Sequence, residues 1–273
     1  MPLNLAQRQL TCNNRHSFDI ARQGYVNLLP VQHKKSRSPG DSKLMVQARK
    51  SFLQAGFYQP IAKALSESVI ELAKASPVHT ILDAGSGEGY YLDNLLLSLA
   101  EFMPDNSATR VSYGVDISKD AVLEAAKRNK QVSWIVGSNA RLPVKDHSLD
   151  LIICLFGFPC YEEFTRKLRT GGHILIVDSG ADHLIELREV IYPEVKKSPP
   201  PQHTELLALG CKEVSQRSVR FTISLDTAET IHNLLVMTPH MYKASQAGRD
   251  AAESLESIEL TVDVVLRVFA CID

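Results

Sequence analysis

Between Thr80 and Tyr91 the sequence leaves the backbone few options. Ile81 and Leu82 run into Asp83, then Gly85, Gly87 and Gly89 alternate with small or acidic residues, and a helix-like pattern follows. That order reads as a strand, a tight turn and a helix N-terminus. Glycine is needed there because a Cβ disfavours positive φ angles and holds the backbone away from a ligand. In a parallel α/β sheet, ligands bind at such turns, outside the carboxyl ends of the strands. The spacing is G-x-G-x-G and differs from the G-x-G-x-x-G of dinucleotide binders. A second strand-like run, Val111 to Val115, also ends in an acid, Asp116. An acid at the tip of a second strand can take both hydroxyls of a ribose. The bland alternative is an ordinary Rossmann-like turn with a solvated aspartate.

Around this turn the pattern alternates as a doubly wound domain does. Strands are expected at 79–83, 111–115, 132–136, 149–155 and 174–177, the fourth a near-continuous apolar run suited to a strand covered on both faces. Two late strands, 213–223 and 258–269, flank a helical insert over 226–252 and suit an antiparallel edge. The expected architecture is a mostly parallel seven-stranded sheet with helices on both faces. Residues 1–40 form a small N-terminal subdomain and residues 41–273 the main domain. A length of 273 residues suits that arrangement.

No apolar run approaches the ~20 residues of a membrane span, and the N-terminus lacks the layout of a signal peptide. Five scattered cysteines without a CxxC pair point to a reducing cytoplasm and mostly buried thiols. A formal net charge of −1 does not announce nucleic acid, so such a partner has to be argued from local charge. The basic run His33, Lys34, Lys35, Arg37, Lys43, Arg49 and Lys50 is either a solvated face or a phosphate-binding edge that displaces condensed counterions. Cys12 and His16 have the spacing of half a zinc site, but structural zinc takes four ligands. Residues 1–11 contain neither cysteine nor histidine, and His33 is the nearest spare ligand. No bound metal is expected.

A resemblance sharpens this reading. Phe18-Asp19, Gly24 to Lys34, Ser36-Arg37, Pro39 to Ser42 and Gln47-Ala48-Arg49 follow one another, with Gly87 to Tyr91, Asp116 to Lys119 and Arg141-Leu142-Pro143 beyond them. His183-Leu184, Glu186-Leu187, Ile191-Tyr192 and Met237-Thr238-Pro239 continue the series. Together they resemble the bacterial 23S ribosomal RNA (guanine-N1)-methyltransferase family, within the class I S-adenosylmethionine-dependent methyltransferases. The resemblance implies methyl transfer from S-adenosylmethionine to guanine N1 in a hairpin loop of 23S rRNA. It also implies an N-terminal zinc module of three cysteines and one histidine, of which only Cys12 and His16 are present. After the fourth strand the family tends to read Tyr-Ala-Pro-Cys, whereas this chain has Phe156-Gly157-Phe158-Pro159-Cys160.

On that basis Gly85, Gly87 and Glu88 are expected against the methionine part of the donor, and Asp83 near its amino group or ordering the turn. Asp116 is expected on the ribose and Asn139 near the adenine. By resemblance Tyr58 and His183 reach the donor too. Lys34, Lys35, Arg37 and Arg49 are the expected RNA contacts. The sequence does not name a general base; Tyr161, Glu162 and His240 are candidates. Phe156 and Phe158 either sandwich the target base or pack in the core, with core packing the expected role. A small-molecule methyltransferase and a non-catalytic RNA-binding paralogue are the competing functions, and a homodimer is left open.

Overall fold

A computed structural model describes residues 3–6, 8–30, 39–103 and 110–271. Its centre is an eight-stranded sheet in the order β10-β11-β9-β8-β5-β6-β7-β4. The strands are β4 (Tyr25–Asn27), β5 (Thr80–Ala84), β6 (Val111–Asp116), β7 (Ser133–Val136), β8 (Leu149–Leu155), β9 (Leu168–Ser179), β10 (Cys211–Leu225) and β11 (Ile258–Cys271). All pairings from β4 through β9 are parallel, while β11 pairs antiparallel with both β9 and β10. The antiparallel edge expected for the two late strands is therefore present.

Burial explains why these segments are strands. Along β5, β8 and β9 alternate residues enter opposite cores: Ile81, Ile153 and Leu175 lie in one, Leu82, Ile152 and Ile174 in the other. The first core is roofed by α1 (Lys43–Gln54), α2 (Gln59–Ala75), α3 (Tyr90–Phe102) and α4 (Lys119–Arg128), and the second by α5 (Tyr161–Lys167) and α7 (Thr204–Ala208). α6 (Ile185–Ile191) follows β9, and the insert between β10 and β11 forms α8 (Ala228–Met237), α9 (His240–Lys243) and α10 (Gln246–Glu253). Side-chain caps set the starts of two helices beside the glycine turn. Ser42 accepts from the Met45 N–H and Ser118 from the Ala121 N–H, each satisfying a donor that has no partner inside its helix.

Three findings depart from the sequence reading. The sheet has eight strands, not seven, because Tyr25–Asn27 pairs parallel with β7 and the Leu28 N–H extends the ladder to the Val136 carbonyl. β9 begins at Leu168, ahead of the Gly171-Gly172 turn, and its register with β8 shifts there instead of breaking. Cys211 and Cys271, directly opposed on β10 and β11, form a disulfide, while Cys12, Cys154 and Cys160 are free thiols. The N-terminal residues otherwise form a three-stranded antiparallel sheet, β1 (Asn4–Ala6), β2 (Gln9–Thr11) and β3 (Ser17–Asp19), whose Leu10 and Phe18 rest on the second core. Among the described residues no helix is long and apolar enough to cross a membrane.

Candidate active site

The carboxyl ends of β5, β6, β8 and β9 converge on the glycine turn. Gly85 and Ser86 both donate to the Val115 carbonyl, which ties the turn to the end of β6. Gly85, Gly87 and Gly89 have φ of +89°, +56° and +81°, the left-handed region that only glycine enters freely. Their surroundings divide them into two roles. A Cβ on Gly89 would stand 2.6 Å from the Trp134 ring, and one on Gly114 in β6 would stand 2.1 Å from it. Those two glycines make room for a buried indole. At Gly85 and Gly87 a Cβ would meet nothing nearer than 3.8 Å, where Asn139 Nδ2 and Arg49 Nη1 respectively lie. Among the described residues, the first two glycines therefore face open space.

Three acids surround the turn. Asp116 accepts from the Gly87 N–H (2.9 Å) through Oδ2 and from the Ser118 N–H (2.7 Å) through Oδ1. Each oxygen keeps a lone pair for a further donor. Burial pushes the Asp116 carboxyl up, against the pull of those two hydrogen bonds. Asp83 is 2% exposed, and its Oδ1 has no hydrogen-bond partner among the described residues. Burial first, then Asp116 and Glu88, hold its carboxyl well above the usual range. Glu88 is also buried, but its carboxylate faces Arg128 at 3.7 Å and lines a pocket with Lys50, Gln54, Glu124 and Lys127.

Aromatic side chains wall the other side. Tyr58 is buried at the start of α2, with its Oη 3.4 Å from His183 Nε2. His183 Nδ1 accepts from the Asp263 N–H (3.3 Å), so the neutral ring carries its hydrogen on Nε2. Burial lowers the His183 pKa to about 4. The ring stacks on Phe156, which in turn lies 6.4 Å from Tyr91. Phe156 and Phe158 are 40% and 89% exposed. Core packing, the role expected for them, is thus not the one they have, because the β8 end carries them past the second core. Asn139 Nδ2 donates to the Phe158 carbonyl (3.3 Å) and connects the loop after β7 to the loop after β8.

Among the expected RNA contacts, Lys34, Lys35 and Arg37 lie outside the described residues. Arg49 turns inward. It pairs with Asp41, donates to the Met237 carbonyl (3.1 Å) and lies over Gly87. Of the base candidates, Glu162 is exposed, His240 Nδ1 pairs with Tyr192 Oη (3.0 Å), and Tyr161 Oη lies 2.9 Å from His203 Nδ1. Sequence reasoning missed Asp41, Asp178 and His203; the sole hint for His203 was a histidine standing just after a proline run.

A model described as "Methyltransferase domain" matches residues 76–226, and a zinc-ribbon model described as "RlmA, N-terminal" matches residues 1–37. The 23S rRNA (guanine(748)-N(1))-methyltransferase of Streptomyces fradiae is 31% identical over 271 residues, 98% of this chain and 92% of that protein. The chain belongs to the 23S rRNA (guanine-N1)-methyltransferase family. YxjB of Bacillus subtilis, whose name carries the guanine-N1 activity on 23S rRNA as a provisional assignment, is 31% identical over 94% of this chain and 89% of its own length. The [4+2]-cyclase SpnF shares the fold at 16% identity, with a TM-score of 0.50 over 84% of this chain and 93% of that one. The fold is that of a class I methyltransferase, and S-adenosylmethionine is the methyl donor this domain takes.

One member of the family pattern does not fit. Cys12 and His16 are the only cysteine and histidine in residues 1–32. Cys12 Sγ lies 3.4 Å from His16 Nδ1, which makes half of a tetrahedral zinc set and leaves it open. Among the described residues no group of three or more ligating side chains exists. The small sheet is held by Leu10 and Phe18 against the main domain instead.

Proposed function

We propose that this chain transfers a methyl group from S-adenosylmethionine to N1 of a guanine in a hairpin loop of 23S rRNA, in the cytoplasm. The observation that carries this reading is the likeness to the Streptomyces fradiae guanine-N1 enzyme, which runs through 98% of the chain. The donor supplies an electrophilic methyl on a positively charged sulfur. The chain's own residues suit such a ligand. Asp83 is buried with an unpaired Oδ1, a setting that favours an ammonium partner over an empty one. Gly85 and Gly87 follow it along the turn, with no described atom nearer than 3.8 Å to where their Cβ atoms would stand. Asp116, held by two N–H donors, takes the ribose hydroxyls, and Asn139 borders the adenine.

Tyr58 and His183 close the wall opposite. His183 is neutral at physiological pH and adds no charge to repel a sulfonium. Phe156, exposed and stacked on His183, offers a face to a base taken out of its stack, which chemistry on a base requires. Excluding water and fixing the acceptor in line with the methyl carbon supply much of the acceleration. Lys34, Lys35 and Arg37 are assigned to RNA phosphates. Arg49, engaged with Asp41 and the Met237 carbonyl, is assigned to holding the turn.

The test is transfer of labelled methyl groups to unmodified 23S rRNA, followed by reverse transcription. A methyl on N1 blocks the pairing edge, so one stop at a loop guanine is expected. Label that enters other positions, or small metabolites and no rRNA, would refute the reading.

A further inference from the structure

Outside the donor-binding residues, a chain of hydrogen bonds joins three elements of the second core. Pro199-Pro200-Pro201 leads to His203, which is 3% exposed and has φ +51°. A non-glycine residue is held in that region only when its surroundings fix it there. Arg267 on β11, itself buried, donates to the Pro201 carbonyl (2.6 Å) and anchors the run. His203 Nε2 lies 2.8 Å from Asp178 Oδ2, and His203 Nδ1 lies 2.9 Å from Tyr161 Oη. Ionised Asp178 can only accept, so Nε2 carries the imidazole hydrogen and Nδ1 accepts the tyrosine O–H. A fixed loop thus holds the imidazole between a carboxylate and a phenol hydroxyl.

This chain lies at the carboxyl edge of β8 and β9, the edge of the sheet that also carries the glycine turn after β5. Asp178 is the penultimate residue of β9, and Tyr161 opens α5 directly after the Phe156–Cys160 loop. β8 alone separates β9 from β5, which carries Asp83, and two inter-strand steps span about 10 Å. Cys154 on β8 lies in the second core, the face of the sheet to which Asp178 follows Ile176 by alternation.

We propose that Tyr161, His203 and Asp178 form the exit path for the proton on guanine N1. The proposal rests on the function given above. The bond formed joins N1 to the methyl carbon; the bond broken joins that carbon to the donor sulfur, which keeps the electron pair. The N1 proton passes to Tyr161 Oη while the tyrosine's own proton passes to His203 Nδ1. Asp178 then stabilises the imidazolium through Nε2–H. One positive charge leaves sulfur and one appears on His203, which returns its proton to solvent after the transfer. Tyr161 is the catalytic residue, and His203 and Asp178 act through it as positioning residues. The Tyr161 hydroxyl itself feels Glu205 on α7 and Cys154 on β8 besides Asp178, and the imidazole meets the Phe269 ring edge-on.

Two measurements test this. Tyr161→Phe and His203→Gln are assayed for kcat across pH on 23S rRNA, with donor affinity measured by calorimetry. The expected result is a kcat loss of about 100-fold or more at unchanged donor affinity. Imidazole 15N resonances of the wild type report the tautomer independently of activity and of any variant's folding, and the Nε2–H form is expected. Variants that keep kcat, or an Nδ1–H tautomer, would overturn the relay alone. A wild type inactive on guanine N1 would overturn the functional reading, and the relay with it.

Discussion

Asp83 carries an energetic penalty in the free protein that its proposed ligand relieves. Its carboxyl is buried and its pKa is raised, first by burial and then by Asp116 and Glu88. For an acid whose folded pKa is raised, the stability is fully present below the unfolded pKa and is lost as pH rises through the folded one. Asp83→Asn removes that loss. At pH 7 the free variant is expected to melt about 2–4 °C higher, equivalent to about 1 kcal/mol in a chain of this size. It is also expected to bind S-adenosylmethionine at least about tenfold more weakly, since a charge-assisted bond is lost. Scanning calorimetry with and without the donor checks both, and a lower Tm for the free variant would refute the assignment. His183 has the opposite sign. Its pKa is lowered to about 4 by burial, so the unfolded state binds more protons between about pH 6.5 and 4. Stability therefore falls as pH drops through that window. Denaturant titrations at pH 7 and pH 5 are expected to show a smaller drop for His183→Gln than for the wild type.

At the scale of elements, the β5 turn and the β6 end act as one unit because Trp134 supports both from β7. Gly114→Ala places a methyl within 2.1 Å of that indole. Overpacking a filled core costs about 1–3 kcal/mol, and chemical denaturation is expected to read a loss in that range or above. Much of this unit was legible in the residues. The apolar runs, the acids at their tips and the G-x-G-x-G turn all follow from local pattern. The division of the glycines was not, since Gly89 and Gly114 answer to a tryptophan 45 and 20 positions away. β4 was missed for a related reason. Three residues, Tyr25 to Asn27, carry no period of their own and become a strand only by pairing with β7. Arg49 read as part of a basic run, yet Asp41 and the Met237 carbonyl draw it inward, contacts that depend on how α1 meets α8.

For the whole molecule, the alternation of strands and helices disclosed the doubly wound sheet, and two late strands flanking a helical insert suited the antiparallel edge. The Cys211–Cys271 bond and the Tyr161–His203–Asp178 chain lay beyond reach, because residues 60 and 42 positions apart meet only once the second core has assembled. The N-terminal sheet shows how a family feature can be lost without losing the structure it supported. With two ligands in place of four, Leu10 and Phe18 packed on the second core hold the sheet. Treatment with a strong chelator is therefore expected to leave Tm unchanged, whereas a structural zinc would make it fall.

The seat formed by the open glycines and Asp116 is what every other assignment depends on. Titration calorimetry of S-adenosylmethionine into the wild type and into Asp116→Asn measures it directly. One site per chain is predicted for the wild type, with affinity at least about tenfold weaker in the variant, where an amide accepts through one oxygen only. No binding to the wild type, or equal affinity in the two proteins, would contradict the account.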